Sequence, residues 1–341
     1  MSKIRAGIIN VTGYIGVELA RLLYQHPQVE LKSITGRSAA GQKLGDVFPS
    51  LDILDRDIEG ELGKDIDVAF SAMPHKSSID IVPSMLKQGI KVIDTSADFR
   101  LKDPGAYPKW YQFTHPAPEL LQKAVFGLPE LHGSEIASTS LVANPGCYST
   151  SAILALAPAV KEGFIFAEIV IDSKSGVSGA GRSLSLTTHY SEVNENICAY
   201  SLDGHRHLPE IEQELGILSS ELPLSITFVP HLVPMTRGIL STCYARLKDK
   251  LTEEAIRQLY HGFYKEAPFV RITNESPQTK HVWGTNFCLI YPVLDVKTGR
   301  LIVISCIDNL VKGGAGQAVQ NMNLMFNLPE TSGLESLAIY P

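Results

Sequence analysis

The chain has 341 residues, 44% of them hydrophobic, enough to bury a large core and long enough to divide into two domains. Its 30 basic and 36 acidic residues leave a net charge of −6 with no basic run, which excludes a nucleic-acid or membrane-surface partner and leaves a small metabolite as the expected ligand. The opening MSKIRAGIIN runs straight into a strand pattern instead of a signal peptide, and no apolar stretch reaches the roughly 18 residues of a membrane span, so a cytoplasmic protein is expected.

Ile4–Ile9 (IRAGII) is predicted as a strand. Ile15, Leu19, Leu22 and Leu23 follow at helical spacing before a second strand, Val29–Ile34, which makes a βαβ unit. Residues 67–73 (DVAFSAM), a helix running to about Gln88 and stopped by Gly89, and residues 91–96 (KVIDTS) repeat the theme, so a parallel sheet covered by helices is expected. The run TSLVA leads into Asn144-Pro145-Gly146-Cys147, and TSAILALAPAV then reads as a helix that places Cys147 near its N-terminus. Beyond it come the strand-like runs AEIVIDSKS, LSITFVPHL, GILSTCYARL, NFCLIYPVLD and RLIVISCID, with a helix over 252–265 that Thr252 can cap. The fold class is therefore an α/β Rossmann-type domain followed by an α+β domain with a mostly antiparallel sheet. A glycine cluster at 313–316 precedes a last helix, QAVQNMNLMF, which is expected to return to the first domain.

The first βα turn, GIINVTGYIG, carries Gly7, Gly13 and Gly16. A turn there aims free N–H groups and a helix dipole at an anion, which suits a pyrophosphate held by Thr12, Gly13, Tyr14, Ile15 and Gly16. The spacing departs from G-x-G-x-x-G, and Asn10, a residue that tolerates left-handed backbone, stands where a glycine is usual. A tight turn that binds nothing is the plain alternative. The end of the second strand, SITGRSAAG, has no acid for a ribose hydroxyl and offers Arg37 and Ser38 instead, about 20 residues past the turn, which favours a 2′-phosphate and hence NADP. A solvated surface arginine is the competing reading.

Five cysteines, widely spaced and without a CxxC pair, give neither a disulfide framework nor a metal site. Cys243, Cys288 and Cys306 lie in apolar strand-like runs and read as small buried hydrophobes, and Cys198 has no supporting feature. Cys147 differs, because a helix start favours the thiolate and Pro145-Gly146 clears bulk from beside the sulfur, so it is the candidate nucleophile. HRHLPEIEQEL supplies the candidate proton partners His205 and His207 before a helix with Pro209 in its first turn, and Glu210 as a carboxylate to orient them. SKSGVSGAGR (173–182), with Ser178 and Arg182, can hold an anionic substrate, and its Gly176 is a candidate cofactor contact; VPHLVPMTRGI (229–239) and SADFR (96–100) are further rigid loops, the last placing Arg100 at a carboxyl edge of the sheet.

GYIG, SADFR, NPGCYST, SKSGVSGAGR, HRHLPEI, VPHLVPMTRGI and DNLVKGGAGQAVQNMN stand in the order found in N-acetyl-gamma-glutamyl-phosphate reductases, relatives of aspartate-semialdehyde dehydrogenase, and the chain resembles that family over nearly its whole length. The resemblance implies an NADP-binding Rossmann domain of residues 1–147 and 313–341, and a substrate-binding and dimerisation domain of residues 148–312, in a homodimer or homotetramer. It implies NADP-dependent reduction of an acyl phosphate through a thioester on Cys147. It makes His207 the acid/base with His205 in reserve, Arg100 the phosphate ligand and Asn144 a substrate contact, and it sets Asn309 and Lys312 near the nicotinamide. Three rivals are weighed against this reading. The carrier-linked 2-aminoadipyl-phosphate reductase of lysine biosynthesis is disfavoured by the intact SKSGVSGAGR and NPGCYST. HRHLPEI is not the pattern of aspartate-semialdehyde dehydrogenase, and an NADP-sensing regulatory module would not need Cys147 with paired histidines.

Overall fold

The computed structural model describes residues 3–220 and 223–341, and the chain divides into two compact units. Met1–Pro145 with Gly314–Glu335 form the first, and Gly146–Gly313 with Ser336–Pro341 the second. Gly146 and Cys147, expected at the end of the first domain, thus stand at the start of the second unit. Ser336–Pro341, expected with the Rossmann domain, run instead with the second unit, where the Ile339 N–H donates to the Trp283 carbonyl at 3.1 Å.

In the first unit, β1 (Ile4–Ile9), β2 (Val29–Ile34), β3 (Val68–Ser71), β4 (Lys91–Asp94), β5 (Val125–Phe126) and β6 (Leu141–Ala143) form one sheet in the order β2-β1-β3-β4-β6-β5. Every pairing in it is parallel. Such sheets are covered on both faces, which is why β3 and β6 are buried at every residue and read as apolar runs instead of alternating ones. The helix Ser78–Lys87 ends at Gly89, whose φ of 79° lies in the left-handed region that favours glycine. The helix Gly316–Met325 packs on the helices Tyr14–Gln25 and Pro129–Ser138. Because the strands run one way, the loops bearing Asn10, Arg37, Arg100 and Asn144 all leave the carboxyl edge, where such sheets bind ligands.

Residues 313–316, read as a cluster ahead of the last helix, are themselves helical, since the π-helical turn Val311–Ala315 runs directly into Gly316–Met325. Close packing explains the glycine at 313: a methyl there would stand 2.7 Å from Cys147 Cβ, a demand that outweighs the roughly 1 kcal/mol a glycine costs in a helix.

The second unit holds β7 (Ile165–Gly176), β8 (Cys198–Ala199), β9 (Ser225–Val233), β10 (Ile239–Leu247), β11 (Val270–Ile272), β12 (Cys288–Asp295) and β13 (Arg300–Ile307), in the order β11-β12-β13-β10-β7-β9-β8. β7–β9 and β11–β12 pair in parallel and the other pairs are antiparallel. Here the strands alternate: Ile239, Ser241, Cys243 and Ala245 of β10 are buried while Leu240, Thr242 and Tyr244 between them are half-buried. The helix Cys147–Lys161 packs on β10, β13 and β7 and is buried from Tyr148 to Val160. A chain of buried hydroxyls joins it to the sheet, Ser151 to Ser305 at 2.6 Å, Ser151 to Ser241 at 2.9 Å and Ser173 to Ser241 at 2.7 Å. Removing one would leave its partners unpaired, at about 1–3 kcal/mol. Cys243, Cys288 and Cys306 are fully buried, and burial pushes the thiols of Cys243 and Cys306 well up, so they have no use as nucleophiles. Thr252 caps the helix Glu253–Phe263, its hydroxyl accepting the Ala255 N–H at 3.2 Å.

Candidate active site

The glycine turn is held by its one non-glycine departure. Asn10 has φ 66°, in the left-handed region, and its Nδ2 donates to the Ala72 carbonyl at 2.7 Å, tying the turn after β1 to the turn after β3. Gly13 caps the helix Tyr14–Gln25 and brings no side-chain acceptor to its first amides. At Gly16 a methyl would stand 2.6 Å from Val11 Cα, so only glycine lets this helix seat on the turn. Tyr14 is exposed, and Thr12, Gly13 and Ile15 are partly so.

Arg37 and Ser38 project exposed from the end of β2 into a cleft of about 760 Å³. Ile9, Leu62, Met73, Ile81 and Met85 give the cleft an apolar wall, and Asn10 and Thr35 lie at the turn side. Sequence reasoning missed the segment 60–64 and Asp80, which bring Glu61, Lys64 and a second carboxylate to the same cleft. They come from a long crossover and from a helix face with no distinguishing pattern.

In the second unit, Cys147 is the first residue of its helix and half-buried, whereas Cys198 is exposed. The preceding residue organises its surroundings. The Gly146 N–H donates to Glu210 Oε2 at 2.9 Å, and Glu210 is fully buried. A methyl on Gly146 would lie 2.6 Å and 2.7 Å from His207 Cδ2 and Cε1, so the imidazole rests on the bare face of the glycine. Geometry thereby brings Gly146 together with His207 and with Glu210, the latter 64 positions further along the chain, and one oxygen of Glu210 holds the approach to the thiol. Gly146→Ala is expected to push the His207 ring aside and lower turnover by about tenfold or more while the protein stays folded; kinetics alongside circular dichroism checks it.

His207 caps the helix Leu208–Leu218, with Pro209 in the first turn, so its backbone is fixed by the helix start. Its N–H donates to His205 Nδ1 at 3.1 Å. A nitrogen that accepts from the backbone carries no proton, so His205 holds its hydrogen on Nε2. The His205 ring is boxed edge-on by Tyr148, Tyr200, His207 and Phe228 at centroid distances of 5.6, 5.6, 4.7 and 5.5 Å. Burial first, and the Arg206 charge second, lower its pKa from 6.5 to about 4. His205 is therefore neutral at pH 7.

The loop after β7 is pinned from the far end of the unit. Asn309 accepts the Gly238 N–H at 2.7 Å and donates to Ser178 Oγ at 2.9 Å. Asp308, fully buried, accepts from the N–H groups of Gly284, Leu310 and Val311, and Arg237 lies 3.5 Å from it. Gly176 has its N–H on the Gly238 carbonyl, and a methyl on it would meet the Thr236 backbone at 2.8 Å. Arg182 is exposed, and Lys312 is fully buried with its ammonium 5.8 Å from the Phe269 ring centre. The Asp308–Asn309 hub was not foreseen, because its partners are up to 131 residues away.

In the first unit Arg100 is 5% exposed, with Nε on the Asn144 carbonyl at 2.7 Å and Nη2 on the Thr95 carbonyl at 2.8 Å. Asp98, in the same loop, accepts the N–H groups of Lys76 and Ser78 at 2.8 and 3.0 Å. Beside it Asp94 is fully buried, its pKa raised to about 6 by burial and by the Asp98 charge.

The chain matches the family described as semialdehyde dehydrogenase, NAD binding domain, over residues 5–139, and semialdehyde dehydrogenase, dimerisation domain, over residues 147–309. It is 58% identical over 341 residues to an N-acetyl-gamma-glutamyl-phosphate reductase of Dehalococcoides mccartyi, with 100% of each chain covered. To the protein of that name from Citrifermentans bemidjiense it is 50% identical over 347 residues, covering 99% of this chain and 100% of that one. Its fold is that of aspartate semialdehyde dehydrogenase II from Vibrio cholerae (TM-score 0.71, 15% identity, 96% of this chain and 99% of that chain). Aspartate semialdehyde dehydrogenase with NADP from Candida albicans is similar to the same degree (TM-score 0.71, 16% identity, 95% and 99%).

Proposed function

The chain belongs to the N-acetyl-gamma-glutamyl-phosphate reductase family, and on that premise we propose that it reduces N-acetyl-gamma-glutamyl phosphate to N-acetylglutamate 5-semialdehyde and phosphate, reversibly and with NADPH, as a step of arginine biosynthesis. The observation that supports this chemistry best is the seat of His207 on Gly146, one residue before a half-buried thiol at a helix start. His207 takes the thiol proton, and the sulfur attacks the acyl carbon; the carbon–oxygen bond to phosphate breaks and a thioester remains on Cys147. Bound NADPH supplies hydride for the acyl carbon. His207 returns its proton to the oxygen of the reduced adduct, then takes it back as the carbon–sulfur bond breaks, releasing aldehyde and thiolate.

Residues fit the cofactor on structural grounds. The left-handed Asn10 turn, the bare helix start at Gly13 and the exposed Arg37 and Ser38 at an open cleft suit a pyrophosphate and a 2′-phosphate. Arg37→Asp is accordingly expected to weaken NADPH binding and spare NADH, since a carboxylate repels the 2′-phosphate yet accepts a ribose hydroxyl. Dissociation constants for both cofactors decide it, and parallel changes in the two would reduce Arg37 to a surface charge.

The partner is a second copy of the chain. The second sheet keeps Val170 42% exposed, with Thr242, Tyr244, Ile302 and Ile304 half-buried beside it, and covering that face would make a homodimer or, by repetition, a homotetramer. A cytoplasmic location follows from the substrate and cofactor proposed. Phosphate-dependent reduction of NADP with N-acetylglutamate semialdehyde tests the assignment; no phosphate dependence, or preference for a carrier-linked aminoadipyl substrate, would overturn it.

A further inference from the structure

We propose that Asn144 is a positioning residue that staples together two of the segments through which the chain passes between its units, those at Pro145 and Gly314, and so holds Cys147 in place; the role deepens the reductase reading and rests on it only for its kinetic arm. The chain leaves the first unit after Pro145 and returns at Gly314. Asn144 joins those two segments directly, its Nδ2 donating to the Gly314 carbonyl at 3.1 Å. Each of its other polar groups is engaged within the first unit. The N–H donates to the Asp94 carbonyl at 2.8 Å, the carbonyl accepts Arg100 Nε at 2.7 Å, and Oδ1 accepts Asn321 Nδ2 at 3.0 Å. Asn321 is itself anchored, donating to the Gly127 carbonyl at 2.9 Å.

A side chain 1% exposed and bonded at both ends is built to hold protein, not substrate. What it holds lies next door. Gly313, beside the stapled Gly314, packs on Cys147 Cβ, and Cys147 is three residues beyond Asn144 with the rigid Pro145 between. The same two segments are thus closed by a hydrogen bond on one side and by a glycine contact at the nucleophile on the other. Arg100 belongs to this brace, since its bonds to the Asn144 and Thr95 carbonyls tie the chain ahead of the thiol to the end of β4.

Asn144→Asp keeps size and the acceptor for Asn321 but turns an oxygen toward the Gly314 carbonyl, opening the staple. Two readouts are taken on the full-length protein. Iodoacetamide labelling at pH 7, followed peptide by peptide, is expected to slow at Cys147 by about fivefold or more relative to the exposed Cys198, which serves as internal reference. In the reductase assay kcat is expected to fall roughly 10- to 100-fold with KM for the semialdehyde within about threefold. Labelling needs no turnover, so it judges the staple even if the assigned reaction is wrong. Unchanged labelling of Cys147 overturns the proposal, and unchanged labelling with a raised KM would make Asn144 a substrate ligand. Should Asn144→Asp not fold, Asn321→Leu removes the amide that supports Asn144 without altering either crossing segment and carries the same two readouts.

Discussion

Cys147→Ser is expected to reduce phosphate-dependent turnover to below about one ten-thousandth of wild type while NADPH still binds. The serine oxygen would occupy nearly the same place at the helix start, so the loss isolates chemistry from shape: an alkoxide is far harder to form than a thiolate at neutral pH. Cofactor affinity is spared because the Asn10 turn, Arg37 and Ser38 all belong to the other unit. Steady-state kinetics with a separate titration of NADPH checks both halves, and turnover close to wild type would sink the covalent mechanism. Cys243→Ala supplies the contrast, for its thiol is fully buried and its removal should cost stability, not turnover.

Much of this arrangement is legible in the sequence because it depends on neighbours. The parallel sheet shows as short apolar runs that burial on both faces demands, and β1 and β2 fall on the predicted residues. The helix after Cys147 shows as an unbroken apolar stretch because it is buried all round. The left-handed turn at Asn10 follows from the rarity of residues that accept it.

What stayed hidden depends on residues far apart. Nothing local says that Gly146 must be bare because an imidazole from position 207 lies on it, nor that Gly313 must be bare because of Cys147. Glu210 reads as a partner for the histidines by sequence proximity, and nothing local adds that one of its carboxylate oxygens reaches 64 residues back to the Gly146 amide. Arg100 and Asn144 are expected as ligands from the family resemblance, and only their hydrogen-bond partners reveal how much of each is committed to main chain. Polarity at a ligand-binding edge signals involvement, and counting partners is what separates contact from support.

His207→Asn is expected to lower turnover by about 10²–10⁴-fold with a smaller change in substrate affinity, the usual reach of general acid–base catalysis. His205→Asn should act mainly on substrate affinity. The two rings touch, so the separation rests on their protonation. His205 accepts the His207 N–H on Nδ1 and sits in an aromatic box that brings its pKa to about 4, which leaves it neutral and unable to shuttle a proton near pH 7. A pH–rate profile therefore tells the pair apart: its shape should change in His207→Asn and persist in His205→Asn. Stability supplies an independent sign. Because the folded pKa of His205 lies below its usual 6.5, the unfolded chain binds more protons between those values, so stability due to neutral His205 is present above about pH 6.5 and lost as pH falls toward 4. His205→Asn should flatten that loss in acid unfolding curves, and His207→Asn should leave it in place. If the rate loss follows His205 instead, the roles are reversed and the reductase assignment survives. If neither substitution slows turnover, the proton comes from water or another group, and the contact of His207 with Gly146 is packing alone.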